Sequence, residues 1–148
     1  MTTLVGTQDK LIDAVKSLIE LDYDAIEAYQ MAIDNLENQQ YKNQLEKFCN
    51  DHRKHVDKLS LLLEERGVKV KLGPDSKQWL TKGKVAMVYL LGDGAILEAM
   101  LSNEEDTNSA YHNMNNRKDL WEDLQVLIQN GLEDEKGHKK WLEEVLKS

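Results

Sequence analysis

The chain has 148 residues, a formal net charge of −8, one proline and one cysteine, and 41% of its residues are hydrophobic. This length and composition predict a single soluble, helix-rich domain, and the negative charge argues against nucleic acid and anionic membranes as partners. The lone cysteine excludes an intrachain disulfide, and the opening residues lack a signal-peptide pattern. The longest apolar run is also too short to span a membrane. The single cysteine and the opening residues lead us to expect a cytoplasmic protein.

The first half of the chain predicts two long helices joined by a polar turn. The first, over about residues 7–36 with Thr7 as its N-cap, has an apolar stripe with alternating steps of three and four residues. The second, over about 41–66 with Gly67 as its C-terminal stop, has a similar stripe. Three ionisable residues interrupt these stripes where apolar residues belong: Asp22, His52 and His55.

A crossover over residues 67–92 joins the two halves, and it includes a short predicted helix at about 77–91. Such a connection returns the chain to the opposite end of an antiparallel bundle. The short helix is amphipathic, and the sequence leaves open whether it covers the side of the bundle or forms a homodimer contact. The second half predicts a third helix over about 94–115 and a fourth over about 118–146.

The stripes of the second half are interrupted by Glu104 in the third helix and by Glu135 and His138 in the fourth. The halves match when the first helix is shifted by 82 residues onto the third and the second by 83 onto the fourth. The pairs that coincide are Asp22 with Glu104, His52 with Glu135, His55 with His138, and Tyr29 with Tyr111. Because the interruptions lie near the middle of each helix, an antiparallel bundle brings them to one level.

Carboxylates that lie close together in a core repel one another, and burying any ionisable side chain costs free energy unless an opposite charge or a hydrogen bond compensates it. Carboxylate oxygen and neutral imidazole nitrogen suit iron, manganese or zinc, and two divalent cations would offset three carboxylates. A Glu-x-x-His sequence places two such ligands on one helix face. The predicted metal ligands are Asp22, His52, His55, Glu104, Glu135 and His138.

The sequence resembles the ferritin-like superfamily of di-iron carboxylate bundles, and within it the small bacterial rubrerythrin-like proteins that lack a rubredoxin module. The likeness covers about residues 7–147 and rests on an acid followed seven residues later by Tyr, then on Glu-x-x-His, repeated across a crossover. It implies an all-α, ferritin-like antiparallel four-helix bundle that holds two iron ions. It also implies oxidation of ferrous iron with dioxygen or peroxide, a ferroxidase- or peroxidase-type reaction.

The resemblance also implies a role for each ligand. Asp22 and Glu104 would be terminal carboxylate ligands, and Glu135 would be a bridging carboxylate. His55 and His138 would each give one imidazole to one metal. Tyr29 and Tyr111 would lie behind these ligands. One departure is that His52 replaces a second bridging glutamate, and an imidazole normally gives one nitrogen to one metal. The implied site is asymmetric, with a tighter metal in the second half of the chain than in the first.

Other interpretations stay open on the sequence. The site could hold a single ion, or zinc in place of iron. A degenerate, metal-free bundle with a structural or stress-related interaction role is the main alternative; haem is disfavoured by the surrounding acids. Gly131 lies in a helix interior, where it marks the close approach of another group. Four further ionisable residues lie off the stripes and are expected to face solvent: Asp24, Asp51, Glu105 and His112.

Overall fold

The computed structural model describes residues 3–70 and 92–148, and in these ranges the chain forms four long helices and no strands. The helices are α1, Leu11–Asn35; α2, Gln39–Glu65; α3, Asp93–Asn115; and α4, Glu122–Lys147. Two hairpins, α1–α2 and α3–α4, meet through α1 against α3 and α2 against α4. The predicted all-α four-helix bundle is therefore confirmed. The helix predicted at 77–91 lies outside the described residues.

Contacts at the two ends of the bundle show that neighbouring helices run antiparallel. The carboxylate of Asp93, at the start of α3, accepts hydrogen bonds from the backbone N–H groups of Glu37 and Asn38, just after α1. At the other end Arg66, just after α2, pairs with Asp123 in the first turn of α4. The end of α2 and the start of α3 therefore lie at opposite ends of the bundle, as the crossover requires.

The boundaries of α2 follow from local sequence. The side chain of Asn38 accepts hydrogen bonds from the N–H groups of Gln40 and Tyr41 and so caps the first turn. At the other end Gly67 takes a φ of +74°, and the N–H groups of Gly67 and Val68 bond back to carbonyls of the last turn. This is the Schellman arrangement, which favours glycine because its left-handed backbone has no Cβ to strain.

The first helix begins at Leu11 rather than near Thr7, because the preceding residues pack on the turn between α3 and α4 instead. The guanidinium of Arg117, in that turn, donates hydrogen bonds to the carbonyl oxygens of Gly6 and Gln8. Thr7 donates its hydroxyl to the carbonyl of Leu4 in a local turn rather than capping α1. These contacts hold the chain in a non-helical path up to the start of α1.

The core is apolar at both ends and polar at its middle level. Aliphatic side chains from all four helices fill the apolar parts, among them Leu18, Leu59, Met100 and Ile128. The six predicted ligands lie between them, and none is more than 8% exposed. No helix in the described ranges is long and apolar enough to cross a bilayer.

Candidate metal centre

The six predicted ligands come together at the centre of the bundle. They form two donor groups, and within each the donor atoms all lie within 4.8 Å of one another. The first donor group is Asp22, His52, His55 and Glu135, and the second is His52, Glu104, Glu135 and His138. His52 and Glu135 belong to both groups. Each group contains the three ligands expected from its own half of the chain and one ligand from the other half, because the facing sides of the two hairpins meet at this level.

The first donor group contains two buried polar atoms that accept or donate no hydrogen bond within the described residues. His55 Nδ1 lies 3.5 Å from both Asp22 Oδ1 and Glu135 Oε1, at the outer limit of hydrogen bonding. Among the described residues neither His55 Nδ1 nor Glu135 Oε1 has a hydrogen-bond partner. Because buried polar atoms are normally hydrogen-bonded, such atoms call for an explanation. A divalent cation between them would satisfy an imidazole lone pair and a carboxylate oxygen together, so the residues present fit a metal.

The second donor group is similarly compact. His138 Nδ1 lies 3.2 Å from Glu104 Oε1 and 3.3 Å from Glu135 Oε2. His52 Nε2 lies 3.4 Å from the same Glu104 oxygen. Each group thus combines imidazole nitrogens with carboxylate oxygens, the donor set that iron, zinc and manganese accept.

The outer nitrogens of the terminal histidines contact carboxylates that the stripe pattern leaves out. His138 Nε2 lies 2.8 Å from Asp51 Oδ2, and His55 Nε2 lies 2.9 Å from Asp134 Oδ2. Each aspartate reaches across from the opposite hairpin. A carboxylate at Nε2 holds the proton there and leaves the Nδ1 lone pair directed at the centre, the usual support for a metal-binding histidine.

The expectation that Asp51 faces only solvent is therefore wrong. The signal that would have found it is the internal repeat, since the shift of 83 residues that relates His55 to His138 also places Asp51 on Asp134. Asp24 is also buried, contrary to expectation, because α1 packs against both α2 and α3 and its buried arc is wider than the stripe. Glu105 and His112 are exposed, as predicted.

The two tyrosines cross between the hairpins to hold the terminal carboxylates. Tyr111 donates its hydroxyl to Asp22 Oδ2 at 2.7 Å, and Tyr29 donates its hydroxyl to Glu104 Oε1. Burial and the neighbouring carboxylates raise the pKa of both phenols well above the usual value, so both stay O–H donors. Each hairpin therefore positions a carboxylate of the other.

A buried threonine, which the stripe pattern does not distinguish from a core filler, makes the centre asymmetric. The hydroxyl of Thr107 lies 3.0 Å from Glu104 Oε2 and 3.1 Å from Glu135 Oε2. The repeat places Ala25 at the equivalent position of α1, which has no hydroxyl. The second donor group therefore has a hydroxyl between two of its carboxylates, where the equivalent position of the first half, Ala25, supplies none.

Gly131 makes room for Tyr111, which confirms the predicted close approach. A Cβ added at Gly131 would lie 2.3 Å from Cε1 of the Tyr111 ring, well inside van der Waals contact. That ring also lies beside His55, with centroids 5.2 Å apart. The missing side chain at Gly131 therefore positions the tyrosine that holds Asp22.

We expect Gly131→Ala to destabilise the protein by about 1–3 kcal/mol, because the buried ring has to move. Gly137→Ala is the matched control, since Gly137 is an exposed interior residue of the same helix with nothing within 4 Å of an added Cβ. There alanine should stabilise by up to about 1 kcal/mol through helix propensity. Denaturant unfolding measures both, and equal effects of the two substitutions would contradict the packing role of Gly131.

The buried histidines and carboxylates of the centre shift one another's pKa values. Burial opposes the imidazolium forms, but the surrounding carboxylates outweigh it and raise the pKa of His52 to about 10, of His55 to about 11 and of His138 to about 12. Burial likewise opposes ionisation of Asp22 and Glu104, yet the histidines lower the pKa of both carboxyls. Burial and the charge of Glu104 raise the pKa of Glu135. The carboxylates thus favour positive charge at the centre, the sign of charge that a cation would supply.

A small cavity of about 50 Å³ lies beside the first donor group. His55, Tyr111 and Gly131 line its inner part, and the exposed residues Lys54 and Lys58 line its outer part. Its position indicates a path by which water or another small molecule reaches His55 from the surface.

A family model described as "Domain of unknown function (DUF2383)" matches residues 10–117, and the chain belongs to this family. No curated protein matches the chain. A similar solved structure is the crystal structure of a conserved hypothetical protein, rv2844, from Mycobacterium tuberculosis. The two chains are 14% identical with a TM-score of 0.70, and the match covers 91% of this chain and 96% of the other. At this identity the likeness supports the four-helix fold alone, and neither comparison assigns a function.

Proposed function

We propose that this member of the DUF2383 family is a non-haem metal-binding protein that holds two divalent cations, one in each donor group. By its resemblance to ferritin-like bundles the physiological metal is iron. The reaction we propose is oxidation of ferrous iron by dioxygen or peroxide. The observation that carries the proposal is the pair of donor groups, which share His52 and Glu135 at the buried centre of the bundle.

The charges at the centre support a cation. Three carboxylates lie there, and the ion pairs that the described residues form with them come from histidines. A histidine that loses its proton can bind a metal through the freed nitrogen, whereas lysine and arginine would keep their charge. The unpartnered atoms His55 Nδ1 and Glu135 Oε1 face each other across 3.5 Å. This arrangement suits a site in which metal replaces protons.

Bound iron would supply electrons to the oxidant and open coordination positions for it. The chain's own residues would hold and orient the ligands. Asp51 and Asp134 keep a proton on the outer nitrogens of His138 and His55. The surrounding apolar core excludes bulk water, which strengthens every charge interaction inside it.

The test is anaerobic titration of metal-free protein with ferrous iron, followed by measurement of bound metal. Two ions per chain are expected, and less than a few tenths of an ion per chain would overturn the proposal. Glu104→Gln should weaken binding in the second donor group, whereas Glu105→Gln, at the exposed neighbouring position, should leave it unchanged.

Mixing the loaded protein with dioxygen, and separately with peroxide, then tests oxidation through the uptake of oxidant. A loaded protein that consumes neither would refute the reaction while leaving metal binding intact.

The outer aspartates give a second prediction. We expect Asp134→Asn and Asp51→Asn each to lower metal affinity by about 10- to 100-fold, because the amide no longer fixes the histidine proton by charge. Asp57→Asn, at an exposed position of α2, should have no effect. Competition with a chromophoric chelator measures these affinities. Unchanged affinity in both variants would show that the aspartates are only surface partners of the histidines.

The alternative is a metal-free bundle with a structural or interaction role. The observation in its favour is that the histidines and carboxylates of the centre already lie in contact with one another, and these carboxylates raise the pKa of the histidines. On this alternative the purified protein binds no metal, and neutral replacements of the ligands alter only its stability. The metal titration separates the two functions directly.

A further inference from the structure

We propose that His52 bridges the two cations, with Nδ1 bound to the cation of the first donor group and Nε2 to that of the second. The inference rests on the proposed function, since it describes how the two-metal centre is joined. It assigns His52 a role that the resemblance does not supply, because the resemblance puts a carboxylate at this position.

The orientation of the His52 ring supports a bridge between the two donor groups. His52 Nδ1 lies 2.8 Å from Asp22 Oδ1 and 3.4 Å from Glu135 Oε1, both in the first donor group. The other nitrogen, Nε2, lies 3.4 Å from Glu104 Oε1, in the second donor group. The two ring nitrogens therefore face different groups, which is the placement that a bridging ligand needs.

The terminal histidines are arranged differently. His55 and His138 each direct Nδ1 to the centre, and each has a carboxylate 2.8–2.9 Å from Nε2. Those outer carboxylates retain a proton on the ring, so each terminal histidine has one lone pair to give. His52 is fully buried, and both of its nitrogens point at metal-ligand carboxylates rather than at an outer acceptor.

With this bridge the two donor groups become equivalent in chemistry. Each then contains two imidazole nitrogens and two carboxylate oxygens, because Glu135 gives Oε1 to the first group and Oε2 to the second. Four donors of this kind match the tetrahedral preference of zinc and leave further positions open on iron.

A ring that binds metal through both of its nitrogens carries no N–H proton. Binding of the second cation would therefore release to solvent the proton that the His52 ring otherwise retains.

Nitrogen NMR of ¹⁵N-histidine-labelled protein loaded with two equivalents of zinc tests the bridge. For His52 we expect both ring nitrogens to shift to metal-bound values and no N–H proton. For His55 and His138 we expect one metal-bound nitrogen and one protonated nitrogen. A protonated nitrogen on His52 in the two-zinc protein would overturn the bridge while leaving two-metal binding intact. Failure to bind zinc, together with no ferrous iron bound in the anaerobic titration, would refute the proposed function itself.

Zinc titrations of variants provide a second measurement. His52→Ala should lower affinity for both zinc ions by about 10-fold or more, whereas His55→Ala should lower it for one ion only. His112→Ala, at the exposed fourth histidine, should change neither. Circular dichroism of each metal-free variant checks that the bundle has formed. If His52→Ala weakens one ion only, as His55→Ala does, the bridge is refuted; if a variant fails to fold, the NMR measurement on unmodified protein still decides.

Discussion

Saturating the metal-free protein with zinc or, anaerobically, with ferrous iron is expected to raise its melting temperature by about 10–20 °C. Each cation present at about 100 times its dissociation constant stabilises the folded state by about 2.7 kcal/mol, since the unfolded chain lacks the assembled site. Two cations therefore contribute about 5 kcal/mol, and in a chain of this size each kcal/mol shifts the melting temperature by about 2–4 °C. Thermal unfolding followed by circular dichroism, with and without metal, measures the shift.

The control for this experiment is a pair of substitutions on α4. Glu135 contributes an oxygen to each donor group, so Glu135→Gln should abolish most of the metal-induced shift. Glu133 is exposed on the same helix and outside both groups, so Glu133→Gln should retain the full shift. A melting temperature that does not respond to metal in the unmodified protein would favour the structural alternative.

Raising the pH is expected to destabilise the metal-free protein by several kcal/mol between about pH 7 and 9. The pKa values of His52, His55 and His138 are raised to about 10, 11 and 12, whereas unfolded histidine titrates near 6.5. The folded state therefore binds more protons above pH 6.5, and its stabilisation is fully present below that value and lost as the pH rises through the folded pKa values. Each such histidine contributes a slope of about 1.4 kcal/mol per pH unit.

Denaturant unfolding of chelator-treated protein at several pH values measures this slope. The lowered pKa values of Asp22 and Glu104 act at the other end of the range, since their stabilisation is lost as the pH falls through the folded values. His138→Gln should reduce the alkaline slope by about 1.4 kcal/mol per pH unit. With metal bound the alkaline loss should disappear, because cations rather than protons then compensate the carboxylates. A stability that does not change between pH 7 and 9 would contradict protonated histidines at the centre.

Much of the fold and the centre could be predicted because both follow from periodicity. A helical stripe fixes which side chains face the core, and Asp22, Glu104 and Glu135 stand on stripes where apolar residues belong. The repeat then places them at one level, and the structure brings them together within the two donor groups. Stripe, repeat and antiparallel packing suffice to locate the centre without knowledge of side-chain conformations.

The contacts that periodicity could not predict depend on side-chain direction across helices. Asp51 lies off its stripe but reaches His138 because the imidazole ring extends between α2 and α4. A shared position was expected for Glu135 but not for His52, whose ring places one nitrogen near each donor group. Such orientations depend on rotamers and on how closely the helices approach, neither of which a stripe encodes.

Both hairpins supply ligands to each donor group, and this has a mechanical consequence. Each donor group draws residues from both hairpins, so a cation in either group ties α1–α2 to α3–α4. Loss of metal should weaken the packing of α1 on α3 and of α2 on α4 more than the turns within each hairpin. Amide hydrogen exchange should then become faster along these facing sides of the helices. Each ion would then be a reversible cross-link between the two hairpins.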